Sequence, residues 1–363
     1  MSMMSKIAFA YNIIVENDYG VSIYYNYFSE KELIVTYDDY LDRKYTGTII
    51  IPNEVTYMNR TLKVIGIGEN AFNNCSNLTS VSIPNSVTTI GERAFEKCTN
   101  LTSIIIPNGV KTIGKFAFHN CSSLASATIS NTVTTIGDEA FSGCHALASI
   151  TIGNSVTSIG SWAFSGCHLN SVYISDIAAW CAIKFNRESN PLYLAKLYFN
   201  GEEVKDLVIP NSVTTIGEFT FHGCTSLTSV IIGNKVTSIG NMAFEKCANL
   251  ISVTLPNGVT SIGYAAFSEC SSLTSISIPN SVTNIGIAAF WGCTNLKSVK
   301  ISNNLVKIDD STFHGCSNLT SLTIPNSVKS IDYEAFAECS NLFSVIIPNS
   351  VSSIGKSVFE YCI

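Results

Sequence analysis

Ile83-Pro84-Asn85-Ser86-Val87-Thr88-Thr89-Ile90-Gly91-Glu92-Arg93-Ala94-Phe95-Glu96-Lys97-Cys98-Thr99-Asn100-Leu101-Thr102-Ser103-Ile104-Ile105 is one 23-residue unit, and Ile106-Pro107-Asn108 begins it again. From about residue 64 to the end, the chain is essentially this unit repeated. Phe72, Phe95, Phe118, Phe141 and Phe164 mark five units, and Phe221, Phe244, Phe267, Phe290, Phe313, Phe336 and Phe359 mark seven more. A fixed period of this length predicts a solenoid, because one unit cannot bury its apolar face alone and its neighbours must stack on it.

Within a unit, Leu101, Ile104 and Ile106 follow the Leu-x-x-Ile-x-Ile pattern of a strand with alternate residues inward. Pro-Asn turns the chain. Val87 and Ile90 give a second extended stretch, and Gly91 is expected to open a short helical turn carrying Ala94, Phe95 and Cys98 inward. Asp309 and Asp332 replace the glycine in two units. Gly and Asp share tolerance of unusual backbone angles and competence as an N-cap, which supports a helix start there.

Twelve of the thirteen cysteines, from Cys75 to Cys362, hold one phase, three residues after the phenylalanines. Rungs about 4.8 Å apart with side chains pointing the same way are poor disulfide geometry. Cysteine is also among the most buried residue types. The column therefore reads as reduced core thiols, with disulfides or metal as lesser alternatives, and no C-x-x-C pair occurs.

The repeat is broken twice. Residues 1–63 carry nine of the fifteen tyrosines and read as a β-rich N-terminal cap, with strands at Ile7–Tyr11, Val21–Tyr25 and Leu33–Tyr37. Its tyrosines either pack on the first rung, the favoured reading, or form a binding surface. Thr48–Val55 already contains Ile-Pro-Asn-x-Val, half a repeat. Residues 64–174 are five units. Residues 175–206 are an enlarged unit: a helix over Ser175–Phe185 capped by Ser175 or Asp176, then a hairpin at Asn200-Gly201. Residues 207–363 are seven units, the last incomplete, and the whole reads as one continuous solenoid.

Composition narrows the function. Apolar residues make up 46% and charged residues 13%, so a core is expected and disorder is not. A net charge of −6 with no basic cluster argues against nucleic acid. No apolar run reaches the roughly 18 residues of a membrane-spanning helix. The short apolar run Ile7–Ala10 is less than a secretory leader needs. An intracellular protein, a removed leader and a longer gene all remain open. So does end-to-end self-association through an uncapped last unit.

The motif Ile-Pro-Asn-Ser-Val-Thr-x-Ile-Gly-x-x-Ala-Phe-x-x-Cys-x-x-Leu-x-Ser-Val, nearly unbroken at 83–106, 232–255 and 278–301, resembles the BspA-like (treponemal) class of leucine-rich repeats. The likeness extends over residues 48–363, including Asp-x-Ala-Ala-Trp-Cys and Ser-Asn-Pro-Leu-Tyr of the enlarged unit. It implies an α/β repeat solenoid, right-handed and curved, with a parallel sheet on the concave face and short helical turns opposite. It also implies a cell-surface or secreted, non-enzymatic adhesin that binds host matrix or cell-surface proteins, without a cofactor. The missing leader keeps a cytoplasmic location and an intracellular or structural scaffold as the alternative.

No catalytic constellation stands out. His119, His222 and His314 follow column phenylalanines, too many rungs apart to meet. His145 and His168 fall in adjacent units and read as exposed, stacked imidazoles rather than a metal pair. On the strand face the outward columns are almost wholly Ser, Thr and Ile, so Tyr173, Asp206 and Lys300 are its distinctive candidates for protein binding. On the turn edge the large residues Phe116, Trp162, Phe219, Met242, Tyr264 and Trp291 either pack between turns or mark an interaction patch. The protein-binding candidates from this edge are the aromatic ones, Phe116, Trp162, Phe219, Tyr264 and Trp291.

Overall fold

Each repeat folds into one rung with two parallel strands. The Leu-x-x-Ile-x-Ile segment gives the longer, such as Ser103–Ile106 and Ser126–Ile129. Ile104, Ile106, Ala127 and Ile129 are buried, and Ser103, Ile105 and Thr128 face solvent. The Val-x-x-Ile segment gives a shorter one, such as Thr89–Ile90 and Thr112–Ile113. Equivalent residues pair across rungs: Ser126 with Ser103 and Ser149, Ile113 with Ile90 and Ile136. A repeat of one fixed length dictates this like-on-like register.

The computed structural model describes residues 13–17, 19–37, 44–186 and 188–362. They form two compact units, Met1–Leu169 with Asn186–Ser189, and Asn170–Phe185 with Asn190–Ile363. In the first, antiparallel strands Ile13–Glu16, Ser22–Ser29 and Glu32–Thr36 lead into a ladder that continues through Arg60–Ile67 and the short strands as far as Ser158–Ile159. The strand expected at Ile7–Tyr11 lies outside the described residues. Gly47–Ile50 runs parallel to Leu78–Ser82, with Ile49 opposite Val81, so the half repeat is a rung strand. Tyr24, Tyr25 and Tyr45 are buried. The Tyr45 hydroxyl accepts from Tyr24 N–H at 3.0 Å and donates to Thr36 O at 2.9 Å, while its ring lies 4.6 Å from Phe72. These cap tyrosines are packing residues.

In the second unit, Ser171–Ile174 runs parallel to Lys196–Phe199, which returns as Glu202–Glu203 through Asn200 (φ 51°) and Gly201 (φ 91°). Two left-handed residues in a two-residue turn are the type I′ geometry that Asn-Gly favours. The helix is shorter than the sequence suggested, Ile177–Cys181, with Asp176 Oδ1 accepting from Ala179 N–H at 3.0 Å. Trp180 is buried and its Nε1 donates to Thr220 O at 3.0 Å.

Two columns hold the core. The phenylalanine rings stack face to face, 4.8–5.5 Å apart in the first unit and 5.2–5.7 Å in the second. Beside them, each of ten column thiols donates to the carbonyl of the phenylalanine 26 residues earlier, as Cys98 does to Phe72 O at 3.1 Å. The cysteine is thus more than a small hydrophobe. It adds a second donor to a buried carbonyl that already accepts the N–H three residues on, as Phe72 O does from Cys75.

The expected helical turns do not form. Residues 91–98 run as successive turns with two left-handed residues, Arg93 (φ 53°) and Lys97 (φ 59°), and the next rung repeats this at Phe116 and Asn120. Donors alternate in direction. Ala94 and Glu96 N–H bond three residues back, to Gly91 and Arg93 O, whereas Phe95 and Lys97 N–H reach Ala117 and His119 O of the next rung. A helix keeps these bonds within itself. Here half of them tie the rungs together. Asp309 and Asp332 are accordingly not helix caps; both flank the Lys307 ammonium, at 2.7 and 2.6 Å.

The glycine column has a different cause. A Cβ on Gly114 would lie 2.6 Å from the Gly91 carbonyl carbon, and one on Gly137 would lie 2.7 Å from that of Gly114. The glycines permit rung-to-rung approach. Gly114→Ala should therefore cost about 1–3 kcal/mol through forced backbone movement. Urea unfolding would measure this, and an unchanged midpoint would contradict the close-contact account.

Candidate functional site

Two surfaces carry the candidates, the strand face and the turn edge. On the strand face of the second unit, Tyr173 stacks on Tyr198 at 4.8 Å, because Ser171–Ile174 and Lys196–Phe199 are adjacent strands in register. Asp206 accepts from Ser229 Oγ at 2.6 Å and Thr228 Oγ1 at 3.4 Å. Lys300 stands at the rim of an open cleft of about 600 Å³. Elsewhere the Ser and Thr columns are interrupted by exposed Lys205 and Lys297 and by exposed apolar residues: Ile231 and Ile251, then Phe343 (77% exposed) and Ile346 (62%).

The turn-edge residues separate into two backbone positions. Phe116, Trp162 and Phe219 are left-handed, with φ of 56°, 55° and 61°. Tyr264 sits one position earlier, beside left-handed Ala265, and Trp291 follows the column phenylalanine. Phe116 is half-buried, with Arg93 Cζ 4.3 Å and Lys115 Nζ 4.9 Å from its ring centre and the His119 ring at 5.4 Å. Such cation–π contacts fix a ring in place. Phe219 leans on His222 at 5.8 Å, and Trp291 stacks on His314 at 6.1 Å. Trp162 and Tyr264 are exposed. Phe116 and Trp162 belong to the first unit and Tyr173, Asp206, Phe219, Tyr264, Trp291 and Lys300 to the second.

Several residues escaped the sequence reading. Tyr198 was hidden in the hairpin insertion, where the 23-residue frame slips. Ile251 and Phe343 lie in a third outward column, one residue before the serine column; extending the column alignment by one position would have found them. His222 and Glu245 are one period apart, and Nε2 and Oε2 approach to 3.4 Å beside Tyr193. Burial, then Lys246, brings His222 down to about 4, and burial pushes Glu245 up, so both disfavour charge. His145 and His168 have ring centres 6.1 Å apart, and their Nδ1 atoms pair with Gly166 O and His145 O, both at 2.9 Å.

The sequence of these rungs matches the BspA type leucine rich repeat region, in six copies, over residues 65–188, 193–320 and 266–363. The chain belongs to the BspA-type leucine-rich repeat family. No significant match occurs among curated proteins. Among solved structures, a leucine rich cell surface protein from Faecalibacterium prausnitzii is 30% identical, with a TM-score of 0.54, over 97% of this chain and 93% of that one. A leucine-rich repeat protein from Bacteroides ovatus is 26% identical, with a TM-score of 0.55, over 94% and 91%. The pneumococcal vaccine antigen PcpA, 17% identical with a TM-score of 0.50 over 95% and 99%, shares the fold.

Solenoids of the leucine-rich repeat kind are generally non-enzymatic protein-interaction folds. In this BspA-type chain the thiols offer no nucleophile. All thirteen cysteines are free, and eleven of them are buried. Burial pushes Cys293 and Cys339 up to about 12 and Cys75 to about 11, away from the thiolate that attacks. At neutral pH a thiol reagent should label folded protein first at Cys362, since burial holds Cys167 far above the usual thiol range, and reach the others after denaturation. Rapid labelling of the whole column would show that it is open to solvent. Among the described residues no group of three His, Cys, Asp or Glu is placed to hold a metal ion, and no helix is long and apolar enough to cross a membrane.

Proposed function

We propose that this chain is a non-enzymatic protein-interaction solenoid displayed at a cell surface, where it acts as an adhesin toward host matrix or cell-surface proteins. The observation that carries this reading is the strand face. Its strands pair rung to rung over most of their length, and hydroxyl side chains dominate its outward columns. Exposed Ile231, Ile251, Phe343 and Ile346 interrupt those columns, the kind of apolar exposure that marks a contact surface. Resemblance to the leucine rich cell surface protein of Faecalibacterium prausnitzii supports the location.

The test is a binding screen of the folded chain against immobilised matrix proteins and intact host cells. The expected result is saturable binding that weakens in Phe343→Ser and Ile346→Ser variants; uniform absence of binding by folded protein contradicts the reading. An intracellular or structural scaffold is the second reading, favoured by the thirteen free thiols. Protease shaving of intact source cells separates the two, because a displayed chain is cleaved and an internal one survives.

A further inference from the structure

The long-strand ladder of the second unit is weakened between Ser252–Thr254 and Ser275–Ser277. By the repeat, the N–H after each long strand bonds the next rung: Ile232 N–H to Thr254 O at 3.1 Å, and Ile278 N–H to Lys300 O at 2.9 Å. The corresponding bond from Leu255 N–H to Ser277 O is absent, among the described residues. Pairing between Ser252–Thr254 and Ser275–Ser277 shrinks to one register pair, Ser252 with Ser275, whereas the rung pairs on either side keep three.

The consequence is a cleft. Val253 and Leu255 occupy inward positions, yet they are half-exposed where their counterparts Val230, Ile232, Ile276 and Ile278 are buried. At the opening before Ser321–Thr323, Val299 is half-exposed as Val253 is, but the position of Leu255 stays closed at the other interruptions. Ile83 and Ile301, the residues at the openings before Ser103–Ile106 and before Ser321–Thr323, remain buried. The cleft of about 600 Å³ has an apolar floor of Val253, Leu255 and Ile278, amide walls from Asn257 and Asn280, and Lys300 as its one charged lining residue. Ser281 Oγ is buried there without a hydrogen-bond partner.

We propose that this cleft binds a short extended acidic segment of a partner protein. The floor takes an apolar side chain, and the Lys300 ammonium pairs with an Asp or Glu carboxylate. The unjoined Leu255 N–H and Ser277 C=O bond the segment's backbone, as strand addition does at an open edge. The volume lies within the range of sites that hold a compact ligand. No aromatic ring lines the cleft to stack under a sugar, and a lone cation on a chain of net charge −6 does not suit a polyphosphate. The inference rests on the protein-binding reading above and gives it a site and a partner chemistry.

The probe is the blocked peptide Val-Glu-Val-Glu-Val, titrated into the full isotopically labelled chain and followed by amide shifts. Saturable shifts at Leu255, Asn257, Ser277 and Asn280 are expected. Lys300→Gln should weaken binding about tenfold, as loss of a charged hydrogen bond does, and Lys300→Arg should retain it. The same peptide with Gln for Glu should bind about tenfold more weakly to the unaltered chain. No shift at Leu255 and Ser277, or equal affinity for the Glu and Gln peptides, overturns the proposal. Shifts produced by an acidic oligosaccharide such as oligogalacturonate, but not by the peptide, also overturn it. If the chain captures a matrix or surface protein equally well with Lys300→Gln, the site assignment fails while the protein-binding reading stands.

Discussion

Raising the pH from 8 to 10 in reducing buffer should unfold this protein, with a urea midpoint that falls more steeply per pH unit than in ordinary domains. The cause is the thiol column. Burial pushes Cys247, Cys270 and Cys316 far above the usual thiol range, and Cys293 and Cys339 up to about 12. In the unfolded chain the same thiols ionise near about pH 8.5. Above that pH the native state holds more protons than the unfolded one, so stability falls as pH rises. Below it the full contribution is present. Each thiol removes about 1.4 kcal/mol per pH unit above that point, and the five together remove about 7 kcal/mol per pH unit, comparable to the whole stability of a typical domain. Tyr25 and Tyr45, both raised by burial, add to the loss at still higher pH. A midpoint unchanged between pH 8 and pH 10 would show that the column is already ionised or solvated in the native state. Replacing three adjacent column cysteines by alanine should flatten the dependence while lowering stability at pH 7.

Phe267→Ala should produce the largest loss at neutral pH. The ring is fully buried between Phe244 at 5.3 Å and Phe290 at 5.5 Å. Its removal leaves a cavity that two flat neighbours cannot fill, at a cost of about 3–5 kcal/mol. The backbone carbonyl of residue 267 still receives the Cys293 thiol, so the effect reports the ring and not the hydrogen bond. In the second unit this corresponds to a drop in Tm of about 6–20 °C. Phe267→Leu should recover part of it. An alanine variant within a degree of the parent would mean that the stack is not a principal source of stability.

The period, the inward columns and both strands of a rung were legible because each side chain has one job in every copy. The turn edge was not. Ala94, Phe95 and Cys98 are spaced as on a helix face, and that spacing outweighed a weaker signal: the position before each column cysteine is Gly143, Gly166, Gly223, Gly292 or Gly315 where it is not Asn74, Asn120, Tyr361 or a charged residue. Gly and Asn at one phase mark a left-handed backbone. The glycine before the edge looked like a cap because its real constraint, the backbone of the preceding rung, is not local in sequence. Of the candidate site, Lys300 was picked out as an odd residue in a uniform column, but the cleft beside it was invisible. Val253, Leu255 and Ser277 all fit the repeat motif, and only the failed register pair exposes them.

The paired residues that hold the rungs together are 23 apart in the strand ladders, and the thiol and its carbonyl are 26 apart. Deleting one whole unit therefore re-forms every one of these pairs with the next copy, whereas losing any other number of residues leaves donors and acceptors facing the wrong partners. Length is thus a quantity the gene can change by unequal crossover between identical copies without passing through an unfoldable intermediate. The same rule confines novelty to outward columns, where a residue such as Lys300 arises in one copy and no other rung has to answer for it.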